Sequence, residues 1–357
     1  MIVDLGVLAS MECATWVETM KHRLADQEII LNNCLFIFCG SPDPDIVNKY
    51  FDIILSNKYS YRLIFIVFSD DGILGVQING KWRTFNTDIS TCDASHTGEL
   101  FNLIFKMFNA PDTVVKDYLN QFMSVVRVNA VEEKRVYMIK PLEPYLQSGS
   151  TITTLCNTIA QYCMFCKWAT SDIQSTEQII DGAGQVGYVI TMEENHIPED
   201  LQFLKMSPCL SKEGRYEACL NLGVILRASG TCRGDLPKVG KKRDFHIDAA
   251  KFQNNIISGC MARIDHYALR NLAPYGIERN LDTLKSASMQ INALRHITAG
   301  RVVEYDDQIY NRYRLSTAEI AELNELIMNS TFGSCVYSTA VAKILEKDYG
   351  LTCPLKA

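Results

Sequence analysis

Four aspartates carry most of the chemistry this sequence can do: Asp70 and Asp71 in Phe68-Ser-Asp-Asp-Gly72, then Asp88 and Asp93 in Asp88-Ile-Ser-Thr-Cys-Asp93. Carboxylates converging from neighbouring strand ends are the ligands magnesium prefers, hard oxygens that leave room for water and phosphate. Two such cations stabilise the attacking and leaving oxygens of an in-line displacement at phosphorus. The chemistry on offer is therefore nucleotidyl transfer. Farther along, Ser148-Gly149 opens a predicted helix that carries Thr153 and Asn157 one turn apart and so on one face. A carboxylate such as Asp93 and the Asn157 amide can bracket a 2′-hydroxyl, the group that separates RNA precursors from DNA precursors. Each piece alone has a plainer reading: Asp-Asp-Gly as a turn, Ser-Gly as a helix start. Their conjunction is what points to metal-assisted nucleotidyl transfer beside a group that reads a ribose.

The elements that must position these groups are legible in the pattern. Tyr61 to Phe68 is aromatic and β-branched, a core strand, and Ser69-Asp70-Asp71-Gly72 turns it into an antiparallel return over Ile73 to Ile78. Asn79-Gly80 is a strong short-range hairpin signal, so Trp82 to Asn86 pairs again. The carboxylates then fall near the strand ends of one small sheet. Helices are expected over 8–25, 46–56 (with Asp45 as cap), 98–109, 114–130 and 151–169, and strands over 34–39, 136–139, 186–192 and 202–206. Beyond Pro208 the pattern predicts helices only: 213–229, 249–272, 281–296, 317–328 and 338–348. The fold class is α+β, with an α+β body followed by an all-helical lobe.

Composition sets the bounds. The chain has 357 residues, 47% hydrophobic and 21% charged, with a net charge of −6. That is an ordinary globular balance. It argues against a protein that coats RNA, yet allows an enzyme with a local basic channel beside an acidic site. The 13 cysteines are odd in number and sit mostly in apolar stretches, which reads as reduced, buried thiols. Cys163-Met-Phe-Cys166 has no second pair at zinc-like spacing. No basic n-region follows Met1, so no signal peptide is expected, and no apolar run approaches the ~20 residues of a membrane span.

On these residues the chain resembles the viral RNA-dependent RNA polymerases. Asp88-Ile-Ser-Thr-Cys-Asp93-Ala94-Ser95 is similar to their motif A, and Ser148-Gly149 with Thr153, Asn157 and Thr158 to motif B. Phe68-Ser69-Asp70-Asp71-Gly72 is similar to motif C, and Phe203-Leu204-Lys205 to motif E, the primer grip. The hairpin precedes motif A, an order C-A-B that resembles the permuted polymerases of permutotetraviruses and birnaviruses. Birnavirus-type enzymes usually carry Ala-Asp-Asn at motif C, so Ser-Asp-Asp leans towards the permutotetravirus side. The motifs cover roughly 63–207.

The resemblance implies a right-hand palm, a small antiparallel sheet with helices, plus a helical thumb and incomplete fingers. Residues 1–62 would be a remnant of fingers, 63–100 palm, 101–147 a fingers insertion, 148–208 palm with motifs B, D and E, and 209–357 thumb. It implies Asp70, Asp71 and Asp88 as catalytic metal ligands for magnesium or manganese, with Asp71 the less critical of the hairpin pair. It implies Asp93, Ser148, Gly149, Thr153 and Asn157 as nucleotide and ribose contacts. Lys205 would meet the primer strand. The dense basic run Lys238, Lys241, Lys242 and Arg243 reads as a solvated loop or, in a thumb, as a contact to the RNA backbone. Expected partners are template and product RNA, NTPs and other viral replication proteins, in the host cytoplasm. Motif F has only Lys21, His22 and Arg23 as candidates, on a helix more like the one that follows it, so the chain is expected to start after motif F. No lysine between Gly182 and Leu204 serves as the general acid of motif D. Two other readings stay open: a reverse transcriptase, disfavoured by Asp93 and Asn157, and a non-catalytic RNA-binding fragment of a polymerase.

Overall fold

The computed structural model describes residues 7–40, 44–130, 135–230, 305–330 and 336–351. The basic run at Lys238, Lys241, Lys242 and Arg243 and the expected helices over 249–272 and 281–296 lie outside the described residues.

Along the chain come α1 (Val7–Leu24), β1 (Glu28–Leu31), β2 (Cys34–Phe38), α2 (Pro44–Ser56), β3 (Leu63–Phe68), β4 (Asp71–Ile78) and β5 (Lys81–Ile89). Then follow α3 (Cys92–Ser95), α4 (Gly98–Met107), α5 (Asp112–Phe122), β6 (Val126–Ala130), β7 (Arg135–Ile139), α6 (Thr153–Ala169), α7 (Thr176–Gln185) and β8 (Ile190–Asn195). The last stretch holds β9 (Met206–Leu210), β10 (Tyr216–Leu220), α8 (Leu222–Gly230), α9 (Tyr305–Tyr313), α10 (Thr317–Met328) and α11 (Thr339–Tyr349). This is a mixed α+β chain. It forms two compact units, one of residues 1–41 and 57–194, the other of 42–56 and 195–357. Those limits differ from the sequence-based ones. The second unit begins at Asn195 and takes in α2, while β1 and β2, from the segment expected to be fingers, join the sheet that holds the aspartates.

The first unit is built on a six-stranded sheet in the order β1-β2-β3-β4-β5-β8. β1–β2, β3–β4 and β4–β5 are antiparallel and β2–β3 is parallel. β2 is buried throughout and β3 nearly so; α6 covers one face through Phe165 and Trp168, which pack on Phe36 and Phe65. The C-terminal carbonyls of α6 need partners. Arg62 supplies them, donating to Ala169 O at 2.7 Å and Ser171 O at 2.5 Å, and Asn32 adds a third bond to Ala169 O. The Trp168 indole donates to Ile179 O at 2.9 Å, and a Cβ at Gly182 would lie 2.9 Å from that ring. Helix α6, which carries Asn157, is thereby locked onto the sheet at its far end.

In the second unit β9 and β10 form a two-stranded antiparallel sheet. Helix α2 is tied to β10 by Asn48, which accepts from Ala218 N and donates to Glu217. Helix α10 starts on a capping box between Ser316 and Glu319. The Lys343 ammonium and the Ser316 backbone hold the Glu319 carboxyl down at about 2.

Several expectations are corrected. The helix expected over 114–130 stops at Phe122, and Val126–Ala130 pairs with Arg135–Ile139 as a ribbon. Val126, Val128 and Val136 are β-branched, and a partner strand within reach outweighs their weak helical pattern. The lobe after Pro208 is not all helical: Tyr216–Leu220 is a strand rather than part of a helix over 213–229. Gly214, at φ +74, closes the turn that brings it back onto β9. The strand expected over 186–192 begins only at Ile190. At 202–206 a tight turn replaces the expected strand: Leu204 and Lys205 are both left-handed, and Phe203 and Met206 exchange backbone hydrogen bonds. Among the described residues no helix is long and apolar enough to cross a membrane, and the described cysteines are mostly buried.

Candidate active site

The site is assembled at the end of the sheet where β3 turns into β4. Phe68 and Asp71 are register partners, so the hairpin loop is only Ser69 and Asp70. Ser69 sits at φ +56, a left-handed conformation that costs an L-residue without a special side chain roughly 1–2 kcal/mol. Two side chains from α6 hold it there. Gln161 donates from Nε2 to Ser69 O at 2.6 Å and to Asp71 O at 3.3 Å. Asn157, one helical turn earlier, donates from Nδ2 to Ser69 Oγ at 3.1 Å. Gly72 is needed beside them, since a Cβ there would come within 2.7 Å of Thr87 Oγ1 and 2.9 Å of Gln161 Oε1. Replacing Gln161 by Met, similar in length but without donors, is expected to destabilise the protein by about 1–3 kcal/mol by leaving these carbonyls without their donor. Chemical denaturation measures it.

The second hairpin closes as Asn79-Gly80 predicts. Both residues have positive φ, 50 and 75, and Ile78 pairs with Lys81. That register places Asp71 directly opposite Asp88. Cross-strand partners point to the same face, and like charges so placed repel. Asp88 and Asp70 are exposed, whereas Asp71 and Asp93 are half-buried. After β5, Thr91 is left-handed at φ +50 and starts the short α3 that carries Cys92 and Asp93. Burial pushes the Cys92 thiol well up, and the charges of Asp70, Asp93 and Asp88 push it further in the same direction. Three carboxylates from two sequence segments thus bear on one buried sulfur. Asp70 lies in the two-residue turn that leads into Asp71, and the register sets Asp71 opposite Asp88.

Asp93 and Asn157 are also brought together: Asn157 Nδ2 donates to Asp93 Oδ1 at 3.4 Å. The other predicted contacts lie around the start of α6. Ser148 is half-buried and Gly149 exposed at φ +104, in the loop before the helix, which begins at Thr153 rather than 151. The Thr153 hydroxyl is buried and has no hydrogen-bond partner among the described residues. In the second unit Lys205 donates to Asp348 O at 3.1 Å and lies over the Tyr349 ring at 5.0 Å, so its ammonium is partly occupied.

Three residues of the site carried no motif signal: Gln161, His96 and Tyr188. Gln161 shapes the turn at Ser69. His96 and Tyr188 complete a buried chain: His96 Nε2 meets Asn157 Oδ1 at 2.8 Å, and His96 Nδ1 meets the Tyr188 hydroxyl at 3.1 Å. Only the position of His96, just after the Asp93 segment, hinted at it. Oxygen donors from Asp70, Asp71 and Asp88 are of the right kind for magnesium. Among the described residues, however, no three His, Cys, Asp or Glu side chains form a ready metal cluster. Magnesium held by one or two carboxylates and completed by water and phosphate does not require one.

The chain is similar in structure to viral RNA polymerases of the birnavirus kind. One is the RNA polymerase VP1 of Infectious Pancreatic Necrosis Virus, at 12% identity and TM-score 0.42, over 85% of this chain and 42% of that one. Another is a birnavirus VP1–VP3 complex, at 11% identity and TM-score 0.44, with the same 85% and 42% coverage. The chain therefore spans 42% of the length of the solved chains it matches. No protein-family model and no curated protein matches it.

Proposed function

We propose that this chain carries the nucleotidyl-transfer core of a viral RNA-directed RNA polymerase with its carboxylate hairpin ahead of motif A. The observation that carries the reading is the register pair Asp71–Asp88 at the sheet end, with Asp70 in the adjoining two-residue turn. Like charges set opposite each other on paired strands repel, and a bound cation would offset that repulsion. Asp70 and Asp88, with Asp71 beside them, would hold magnesium or manganese. When bound, the ions offset charge on the attacking and leaving oxygens as an RNA 3′ end adds a nucleotide.

The chain's own residues do the rest. Gln161 and Asn157 keep the Ser69–Asp70 turn in its strained form, so the hairpin carboxylates need no rearrangement when substrate arrives. Asp93 accepts and Asn157 donates at the edge of the site, a pair suited to a ribose 2′-hydroxyl. Ser148, Gly149 and Thr153 line the approach from the helix start. The six-stranded sheet serves as palm and the helices of the second unit as thumb. Lys205 would attend the primer, and Lys241, Lys242 and Arg243 the RNA backbone.

The test is templated incorporation of NTPs and dNTPs onto an RNA primer with magnesium. Asn157→Ala is expected to narrow the preference for NTPs by about tenfold or more, because a site built for a hydroxyl rejects an analogue that leaves its groups unpaired. An unchanged ratio removes Asn157 from sugar selection. A preference for dNTPs would make the chain reverse-transcriptase-like, and RNA binding without any incorporation would make it a non-catalytic fragment.

A further inference from the structure

The sugar-reading pair has a buried support. Asn157 is 2% exposed, His96 4% and Tyr188 5%, and they form one chain of hydrogen bonds: Tyr188 to His96, His96 to Asn157, Asn157 to Asp93 and Ser69. The direction of each bond follows from what the ends can do. The Asp93 carboxylate only accepts, so the Asn157 N–H groups must face it and the Ser69 hydroxyl. The amide oxygen then faces the imidazole, and Nε2 must carry the proton. In a neutral ring Nδ1 is left with a lone pair, filled by the Tyr188 O–H. Burial lowers the His96 pKa, against the opposing pull of the Asn157 bond and the Asp93 charge, which keeps the ring in this neutral form.

We propose that His96 is a positioning residue for sugar selection, holding the Asn157 amide in the one orientation that turns its N–H groups toward Asp93 and the Ser69 turn. The inference rests on the reading of Asp93 and Asn157 as ribose contacts. An amide has nearly the same shape when flipped, and packing alone does not choose between its two ends. In the flipped form its oxygen would oppose the Asp93 carboxylate and lose that bond, and the imidazole would have to move its proton from Nε2 to Nδ1 before it could accept the amide N–H. With its proton on Nε2, the tautomer that a Tyr188 O–H donated to Nδ1 favours, His96 adds to Asp93 in making that flip unfavourable. Phe101 and Tyr188 hold the ring edge-on at 6.5 and 5.8 Å between centroids, which restricts its rotation.

The experiment uses the whole 357-residue chain with His96→Phe, His96→Gln and Tyr188→Phe. Two readouts are taken: the ratio of NTP to dNTP incorporation, and the side-chain amide NMR signals of Asn157 in selectively labelled protein. His96→Phe is expected to narrow the ratio about tenfold and to shift the Asn157 signals. His96→Gln, which keeps an N–H donor, should recover part of both. Tyr188→Phe, the mildest change, should give a smaller loss in the same direction. It keeps the question open to decision if His96→Phe does not fold. Unmoved Asn157 signals in the folded variants overturn the proposal, whatever the activity. A ratio changed by Asn157→Ala but by neither His96 variant nor Tyr188→Phe also overturns it, while the ribose reading stands. If the unaltered chain incorporates nothing, the polymerase reading fails, and the NMR comparison still decides whether His96 orients Asn157.

Discussion

Asp88→Ala and Asp70→Ala are each expected to abolish nucleotide addition while the protein stays folded. Metal-assisted stabilisation of charge at a phosphoryl centre amounts to several kcal/mol. At ~1.4 kcal/mol per tenfold, losing a ligand lowers the rate by about 10³-fold or more. Stability moves little, because both side chains are exposed and such substitutions usually stay within about 0.5 kcal/mol. Asp88 also faces Asp71 across the strands, so its removal relieves a like-charge contact. A residue kept for the fold would behave in the opposite way, with stability falling before activity. Asp71→Ala is expected to cost less activity than either. Primer-extension rates together with thermal melts check all three, and activity near the unaltered level in Asp70→Ala or Asp88→Ala would remove the assignment.

The second large effect falls on stability. Arg312 and Asp348 form an ion pair at 2.8 Å with side chains only 1% and 0% exposed. The guanidinium also donates to Glu199 O, Asp200 O and the Gln202 side chain. The carboxylate accepts from Gly223 N and the Tyr313 hydroxyl as well. Gly223 must stay a glycine here, since a Cβ would come within 2.7 Å of Asp348. Arg312→Met leaves a buried carboxylate without its counter-charge, which costs about 3–5 kcal/mol. At about 2–4 °C per kcal/mol the melting temperature falls by roughly 6–20 °C. Asp348→Asn leaves the guanidinium buried without its counter-charge and, if it keeps the Gly223 bond, sets an NH2 group against the Arg312 donors, so it should cost a similar amount. If Arg312→Met melts within a degree or two of the parent chain, the pair does not hold this unit together.

The short-range chemistry was legible in the sequence. Asn79-Gly80 names its own turn because few residues accept two successive positive φ values. The helix over 317–328 was readable from its pattern, and Ser316 with Glu319 caps its start. The run from Leu63 to Phe68 reads as a buried strand because nothing polar interrupts it. The aspartates and Asn157 were visible as residue types that suit metal and ribose chemistry. What they touch was not. The left-handed Ser69, the Gln161 bonds that hold it, and the His96–Tyr188 chain behind Asn157 join segments far apart in sequence, and no local pattern encodes a pairing made by packing. The same cause explains Val126–Ala130 and Tyr216–Leu220, strands whose partners override a local helical pattern. Backbone propensities amount to a few tenths of a kcal/mol per residue, whereas a strand that finds its partner gains a ladder of hydrogen bonds and buried side chains. Tertiary structure therefore decides wherever the local preference is weak.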